Sequence, residues 1–263
     1  MHEAFDSERI ARAFDLRSAL NSFTRMSGEA RLGLMIDHAR DLEAVREATE
    51  RLLTAAGKWD NAAVAEPSRL PGWSRGHVLA HLSRNADALA NVLRGLPMYA
   101  SSETRDHDIA RDAPRPLAEQ LADLRESEAR FLAAAAEPAD WSRTVTLRNG
   151  VTDSASRVPF RRRNELELHQ VDLGIGYELE DLPEEFVTLE IAFLTDRFAG
   201  HPDVVATTVT DEDGREWSTG GGAEGGPRAV RGPAADLLGW LCGRRDGSAL
   251  TVLNGPLPAL PPL

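Results

Sequence analysis

The stretch ELELHQVDLG, Glu165–Gly174, puts three ionisable side chains where a helix carries its apolar stripe. At about 100° per residue, Glu165, His169 and Asp172 fall within roughly 60° of one another. Leu166 and Leu173 flank them on one side and Leu168 on the other. On this wheel Glu167, Gln170 and Gly174 occupy the opposite face, which reads as the solvent side. An unpaired charge pointing into a core is costly, so the acid and the imidazole need a partner.

A second helix supplies one. In LPGWSRGHVLAHLSRNADALANVLRG, Leu70–Gly95, a Pro-Gly turn precedes a helix with Ser74 as N-cap and Gly95 as stop. Val78, Asn85, Ala88, Leu89 and Val92 lie within about 80° of His81 on the 3.6-residue period. Ser83, Asp87 and Arg94 lie on the far side. His77, one turn before His81, sits near the helix start and reads as solvent-facing. His81, Glu165 and His169 thus point inward from two helices. Two imidazoles and one carboxylate suit Zn²⁺ with an open coordination position, and Asp172 can hold a ligand histidine in place. The same residues also suit a hydrogen-bonded core network with no metal. No HExxH motif is present, which disfavours a zincin.

Composition narrows the class. Of 263 residues 42% are hydrophobic and 27% charged, as in a soluble globular protein with a real core. No run approaches the ~18 apolar residues of a membrane span, and the acidic, charge-broken N-terminus is unlike a secretory signal. The expected location is cytoplasmic. A net charge of −12 argues against a nucleic-acid partner. The single cysteine, Cys242, rules out a disulfide within the chain and a multi-cysteine zinc site. Lys58 is the one lysine among 30 basic residues, a skew read as genomic composition rather than function.

Along the chain, residues 28–56 read as one long helix, 70–95 as the helix bearing His81, 117–135 as a third, and 159–176 as the fourth, which carries the opening stretch. The first 25 residues look helical but weakly amphipathic, and Met26 is an alternative start. Asn149-Gly150 suggests a hairpin or loop between the last two helices. Four long helices with short or moderate connections predict an antiparallel bundle. Beyond Gly176 the pattern changes to a helix near 183–198, a strand-turn-strand in VVATTVTDEDGREWS, a strand in RAVRG, a helix in PAADLLGWLCGRR with Pro233 in its first turn, and a strand in ALTVLNG. TGGGAEGGP reads as a flexible surface loop, and LPALPPL as a tail on the surface. The expected fold is α+β: an N-terminal extension over 1–27, the bundle over 28–178, and a small α+β domain over 179–263.

LPGWSRGHVLAHLSRNADAL, PMYASSETRD, RRRNELELHQVDLG and LCGRRDG, in this order, resemble the mycothiol-dependent maleylpyruvate isomerases, a branch of the DinB-like metal-binding four-helix bundles. The resemblance runs from about Leu32 to the C-terminus. It implies a zinc site on His81, Glu165 and His169, and substrate-binding arginines at Arg105 and at Arg244, with Arg245 an alternative one position on. It further implies mycothiol as thiol cosubstrate, a small dicarboxylate as substrate, and conversion of maleylpyruvate to fumarylpyruvate by reversible thiolate addition. The expected site lies between bundle and C-terminal domain, with Arg244 turned to the metal. Other mycothiol-using transferases or detoxification enzymes on this scaffold, and a non-catalytic zinc protein, are the competing readings. Cys242 reads as a small core residue rather than the reactive thiol.

Overall fold

The computed structural model describes residues 37–137 and 140–262. The extension over 1–27 and the first residues of the 28–56 helix lie outside them. The chain divides into two compact units, with the boundary between Pro183 and Glu184.

The first unit is helical. Its elements are α1 (His38–Ala56), α2 (Arg75–Leu93), α3 (Ser102–Asp112), α4 (Leu117–Ala136) and α5 (Val158–Asp172), with a short helical turn at Ala62–Ala65. Ser74 caps α2 by accepting from the His77 amide, while His77 Nδ1 reaches back to the Ser74 amide at 3.2 Å. His77, half-buried, therefore fills the role that Glu usually takes in a capping box. Gly95 and Gly174, both at positive φ, stop α2 and α5. Gly76 is required for packing: a Cβ there would lie 2.1 Å from the Ala113 carbonyl oxygen.

The bundle core is built from Leu52, Leu79, Leu82, Leu89, Leu124, Phe131 and Leu166, all at most 2% exposed. Burying each such side chain contributes about 1.5–3 kcal/mol. α2 packs mainly on α4, and α1 on α5. Opposed pairs give the directions. Arg75, at the start of α2, bonds the Leu173 carbonyl beyond the end of α5, while Arg162 at the start of α5 bonds the Leu82 carbonyl, so α2 and α5 run antiparallel. Asp41–Arg163 and Arg51–Glu167 place α1 alongside α5 in the same direction. The extended connection through α3 lets α4 return beside α2 in this arrangement.

α3 was not anticipated from the sequence. SETRDHDIARD buries only Ile109 and Asp112 and begins on the Ser101 cap. β1 (Thr144–Thr146) and β2 (Thr152–Ser154) form a hairpin in register Thr144↔Ser154, turned by Asn149 and Gly150 at φ 59° and 74°.

Burial on α5 differs from the wheel. Glu167 and Gln170 are each 1% exposed. Arg51 on α1 and the Tyr177 hydroxyl both donate to Glu167, at 2.7 and 3.2 Å. The helix is enclosed on more than one side, and its last helical residue is Asp172. Ser83, on the supposed outer face of α2, is likewise buried and donates to the Leu79 carbonyl.

The second unit holds α6 (Glu184–Arg197), α7 (Ala234–Leu241) and a four-stranded sheet in order β4-β3-β5-β6: β3 (Thr207–Thr210), β4 (Glu216–Thr219), β5 (Arg228–Arg231) and β6 (Thr251–Leu253). β3 pairs antiparallel with β4 and parallel with β5. The glycine-rich segment after β4 is largely exposed, but its start is tied down by backbone hydrogen bonds. The Gly200 amide donates to Gly220, and Gly221 to Val204, while a Cβ on Gly220 (φ 67°) would meet the Val205 carbonyl oxygen at 2.1 Å. The C-terminal stretch is not merely laid on the surface, since the Trp240 indole donates to the Pro258 carbonyl and Pro258 is buried. Among the described residues no helix is long and apolar enough to cross a membrane.

Candidate metal centre

Two clamps between α2 and α5 position the side chains that the helical wheels single out. At one end the Arg69 amide donates to the Asp172 carbonyl and Arg75 holds the carbonyls of Leu173 and Gly174. At the other, Arg162 grips Leu82 and Asn85. Between them His81, Glu165 and His169 meet, and one donor atom from each lies within 4.8 Å of the other two.

The contacts are specific. His81 Nε2 lies 2.9 Å from Glu165 Oε2, and His169 Nε2 lies 3.2 Å from the same oxygen. Asp172 Oδ2 accepts from His169 Nδ1 at 2.8 Å. The two imidazoles meet edge to face at 4.7 Å between centroids, and Trp73 stands 5.5 Å from His81. The His81 side chain is 7% exposed and that of Glu165 31%, so one side of the cluster remains accessible.

Charge in this setting is strongly biased. Burial works against ionisation of Glu165, but hydrogen bonds from His169 and His81 outweigh it and hold the carboxyl well below its usual range. Burial opposes the charged form of His169 as well, yet its bonds to Asp172 and Glu165 prevail and raise it. For His81 burial prevails and lowers it. With Asp172 fixing the proton on Nδ1, a neutral His169 would present a lone pair from Nε2 to a carboxylate oxygen. Such an acceptor-rich pocket is relieved by protons or by a cation. The donor set therefore fits a divalent metal of zinc type, with Asp172 orienting one ligand.

Arg105, 24 residues along the chain from His81, is brought to the same place. Its Nη2 is 3.3 Å from His81 Nδ1, its Nη1 donates to Asp106, and its guanidinium lies 5.9 Å from the Tyr99 ring centroid. Tyr99 was not singled out from the sequence, although it stands in the same PMYASSETR segment. Burial, then the Glu165 charge, pushes its phenol up. Arg244 belongs to the second unit, where its Nη1 donates to the Cys242 carbonyl, while the neighbouring Arg245 pairs with Asp236 at 2.7 Å. The Cys242 thiol is buried, faces the Gly239 carbonyl, and is pushed up chiefly by that burial, which disfavours a thiolate.

Comparison with known proteins agrees in both units. Residues 45–174 match the mycothiol maleylpyruvate isomerase N-terminal domain family, and residues 181–262 the MDMPI C-terminal domain family. A crystal structure of the mycothiol-dependent maleylpyruvate isomerase is similar at a TM-score of 0.77 and 27% sequence identity, covering 86% of this chain and 97% of that one. A variant of that enzyme with one histidine replaced by alanine gives the same figures. No curated protein sequence matches.

Proposed function

From the premise that the chain belongs to the mycothiol maleylpyruvate isomerase family, we propose that it is a thiol-dependent cis–trans isomerase converting maleylpyruvate to fumarylpyruvate. The observation that carries this reading is the convergence of His81, Glu165 and His169 with Arg105 against them. A carbon–carbon double bond does not rotate at ambient temperature, so isomerisation needs a transient single bond. Addition of a thiolate to the conjugated alkene makes one and moves an electron pair onto the carbonyl oxygen as an enolate. After rotation, collapse of the enolate restores the double bond in the trans form and expels the thiolate.

The sulfur comes from a cosubstrate, mycothiol, because Cys242 is buried with a disfavoured thiolate. A Zn²⁺ ion held by His81, Glu165 and His169 would supply the positive charge that keeps such a thiol ionised near neutral pH. Arg105, whose Nη2 lies 3.3 Å from His81 Nδ1, would place its guanidinium beside that ion to meet a substrate carboxylate and the enolate. Arg244 is assigned the second carboxylate on the family resemblance. A low-molecular-weight thiol as cosubstrate favours the reducing cytoplasm as the site of action.

The test is loss of maleylpyruvate by zinc-loaded protein with and without mycothiol. Conversion to fumarylpyruvate only with the thiol is expected, and Arg105→Met should lower kcat/KM about 100-fold or more. No conversion by metal-loaded protein would overturn the substrate assignment, and full turnover by Arg244→Met would remove that residue from the mechanism.

A further inference from the structure

A cleft of about 640 Å³ opens between the α2–α3 loop and the β1–β2 hairpin, entirely within the first unit. Its size falls in the ~300–1,000 Å³ range of small-molecule sites. We propose that this cleft binds the polyhydroxylated rings of the thiol cosubstrate, the glucosamine and inositol that mycothiol carries behind its cysteinyl thiol. The inference rests on the thiol dependence proposed above and adds the place where the cosubstrate is recognised.

Three observations carry it. The first is continuity. Tyr99 lines the cleft and also contacts Arg105 and feels the Glu165 charge, so the cleft adjoins the metal centre at Tyr99. A ligand reaching from one to the other has its thiol at the triad and its rings beside the hairpin.

The second is the chemistry of the lining. Tyr99, Ser102, Thr144, Thr146 and Asn149 offer neutral groups that both donate and accept, as sugar hydroxyls do, and among the described residues no carboxylate lines the cleft. Arg143 is no free cation for a dicarboxylate, because its guanidinium is committed to the Val92 and Leu93 carbonyls at the end of α2. Among the described residues that leaves Arg148 as the one charged side chain on the lining without such a commitment, which suits a neutral polyol better than a dianion.

The third is strand geometry. Among the described residues β1 has a strand partner on one side only. The bonds from the Leu147 amide to Val151 and from the Ala155 amide to Arg143 point the odd-numbered residues of β1 at β2. The peptide groups of Thr144 and Thr146 therefore face the other way, along an open edge. Buried Val145 and Leu147 fix the strand from beneath, so these donors and acceptors are held ready for a ligand. Leu96, 53% exposed on the rim, adds an apolar contact for the C–H face of a ring.

The experiment is calorimetric titration of the zinc-loaded protein with mycothiol, and separately with N-acetylcysteine, which has the thiol but not the rings. Thr144→Val/Thr146→Val should weaken mycothiol binding about tenfold, leave bound zinc unchanged, and leave the response to N-acetylcysteine as in the wild type. Unchanged mycothiol affinity, or an equal loss with both thiols, overturns the proposal. Because binding is read directly, failure to turn over maleylpyruvate would refute the substrate assignment and leave the cleft to be judged on this titration.

Discussion

Two polar clusters lie between α2 and α5, less than two helical turns apart along α5, and they are built on opposite principles. Around Arg162, which is wholly buried, all three guanidinium nitrogens find acceptors: Glu128 Oε2 at 3.0 and 2.7 Å, the Leu82 carbonyl at 2.9 Å and Asn85 Oδ1 at 3.0 Å. Donor charge meets acceptor charge, although among the described residues Glu128 Oε1 is left buried without a partner. Around Glu165, two imidazole nitrogens crowd one carboxylate oxygen with a side open to solvent. The first arrangement serves the fold, while the second is the one we propose holds a metal. A carboxylate in a core is therefore not diagnostic by itself; what distinguishes function is the sign of its neighbours.

The sharpest way to break this comparison is to open the Arg162 cluster. Arg162→Met leaves Glu128 buried and unpaired, which should destabilise the protein by about 3–5 kcal/mol in urea denaturation. Adding Glu128→Gln should restore much of that loss, because the pair is coupled. A loss under about 1 kcal/mol would mean that Arg162 is no structural keystone, and the contrast would fail on its structural side.

The open cluster should respond to metal instead. With free Zn²⁺ at 100 times its dissociation constant, the wild type should gain about 2.7 kcal/mol of stability. His169→Ala should lose that gain, whatever it costs the metal-free protein through its bonds to Glu165 and Asp172. Thermal denaturation with and without zinc reads both numbers. Equal stabilisation of wild type and variant would place the metal elsewhere.

The two clusters were unequally legible in the sequence. The triad follows from i, i+4 spacing on one helix and a capped helix start on another, both local properties. Arg162 gave no such signal, because its partners lie 34 to 80 residues away and only the packed bundle brings them together. The wheel misassigned Glu167 and Gln170 because it allows one buried face, whereas α5 packs on α1 and α2 and is covered by Tyr177. α3 escaped notice for the converse reason: almost nothing on it is buried, and its start rests on a serine cap. The approach of Arg105 to His81 needs the whole α2–α3 connection and has no periodic signature. In the C-terminal unit, composition suggested a loose loop where Gly220 and Gly222 allow close backbone approach.

A smaller effect should come from Asp172, which touches the open cluster without offering a ligand atom. Asp172→Asn keeps an acceptor for His169 Nδ1 but removes the negative charge that raises the imidazole. Zinc affinity, measured by chelator competition, should fall about 10- to 100-fold, with the fold unchanged. A change under threefold would show that the bond orients nothing.

Asp112 stands between the two cases and should give the smallest shift. Its carboxylate is 1% exposed, but the arginines that hold it are partly solvated: Arg111 at 2.8 Å, Arg115 at 2.5 Å and Arg84 at 3.7 Å. Burial opposes its ionisation, and the hydrogen bond from Arg111 with the charges of Arg115, Arg111 and Arg84 outweighs that and lowers it. With the folded value below the unfolded one, the unfolded state takes up the proton first. The stabilisation is then complete above the ordinary carboxylate value of about 3.9 and is lost as pH falls through the lower folded value. Asp112→Asn should therefore cost about 1 kcal/mol at pH 7, a figure limited by the solvated partners, and progressively less below pH 4. A cost independent of pH would show that Asp112 acts through shape and hydrogen bonds rather than charge, which would group it with neither cluster.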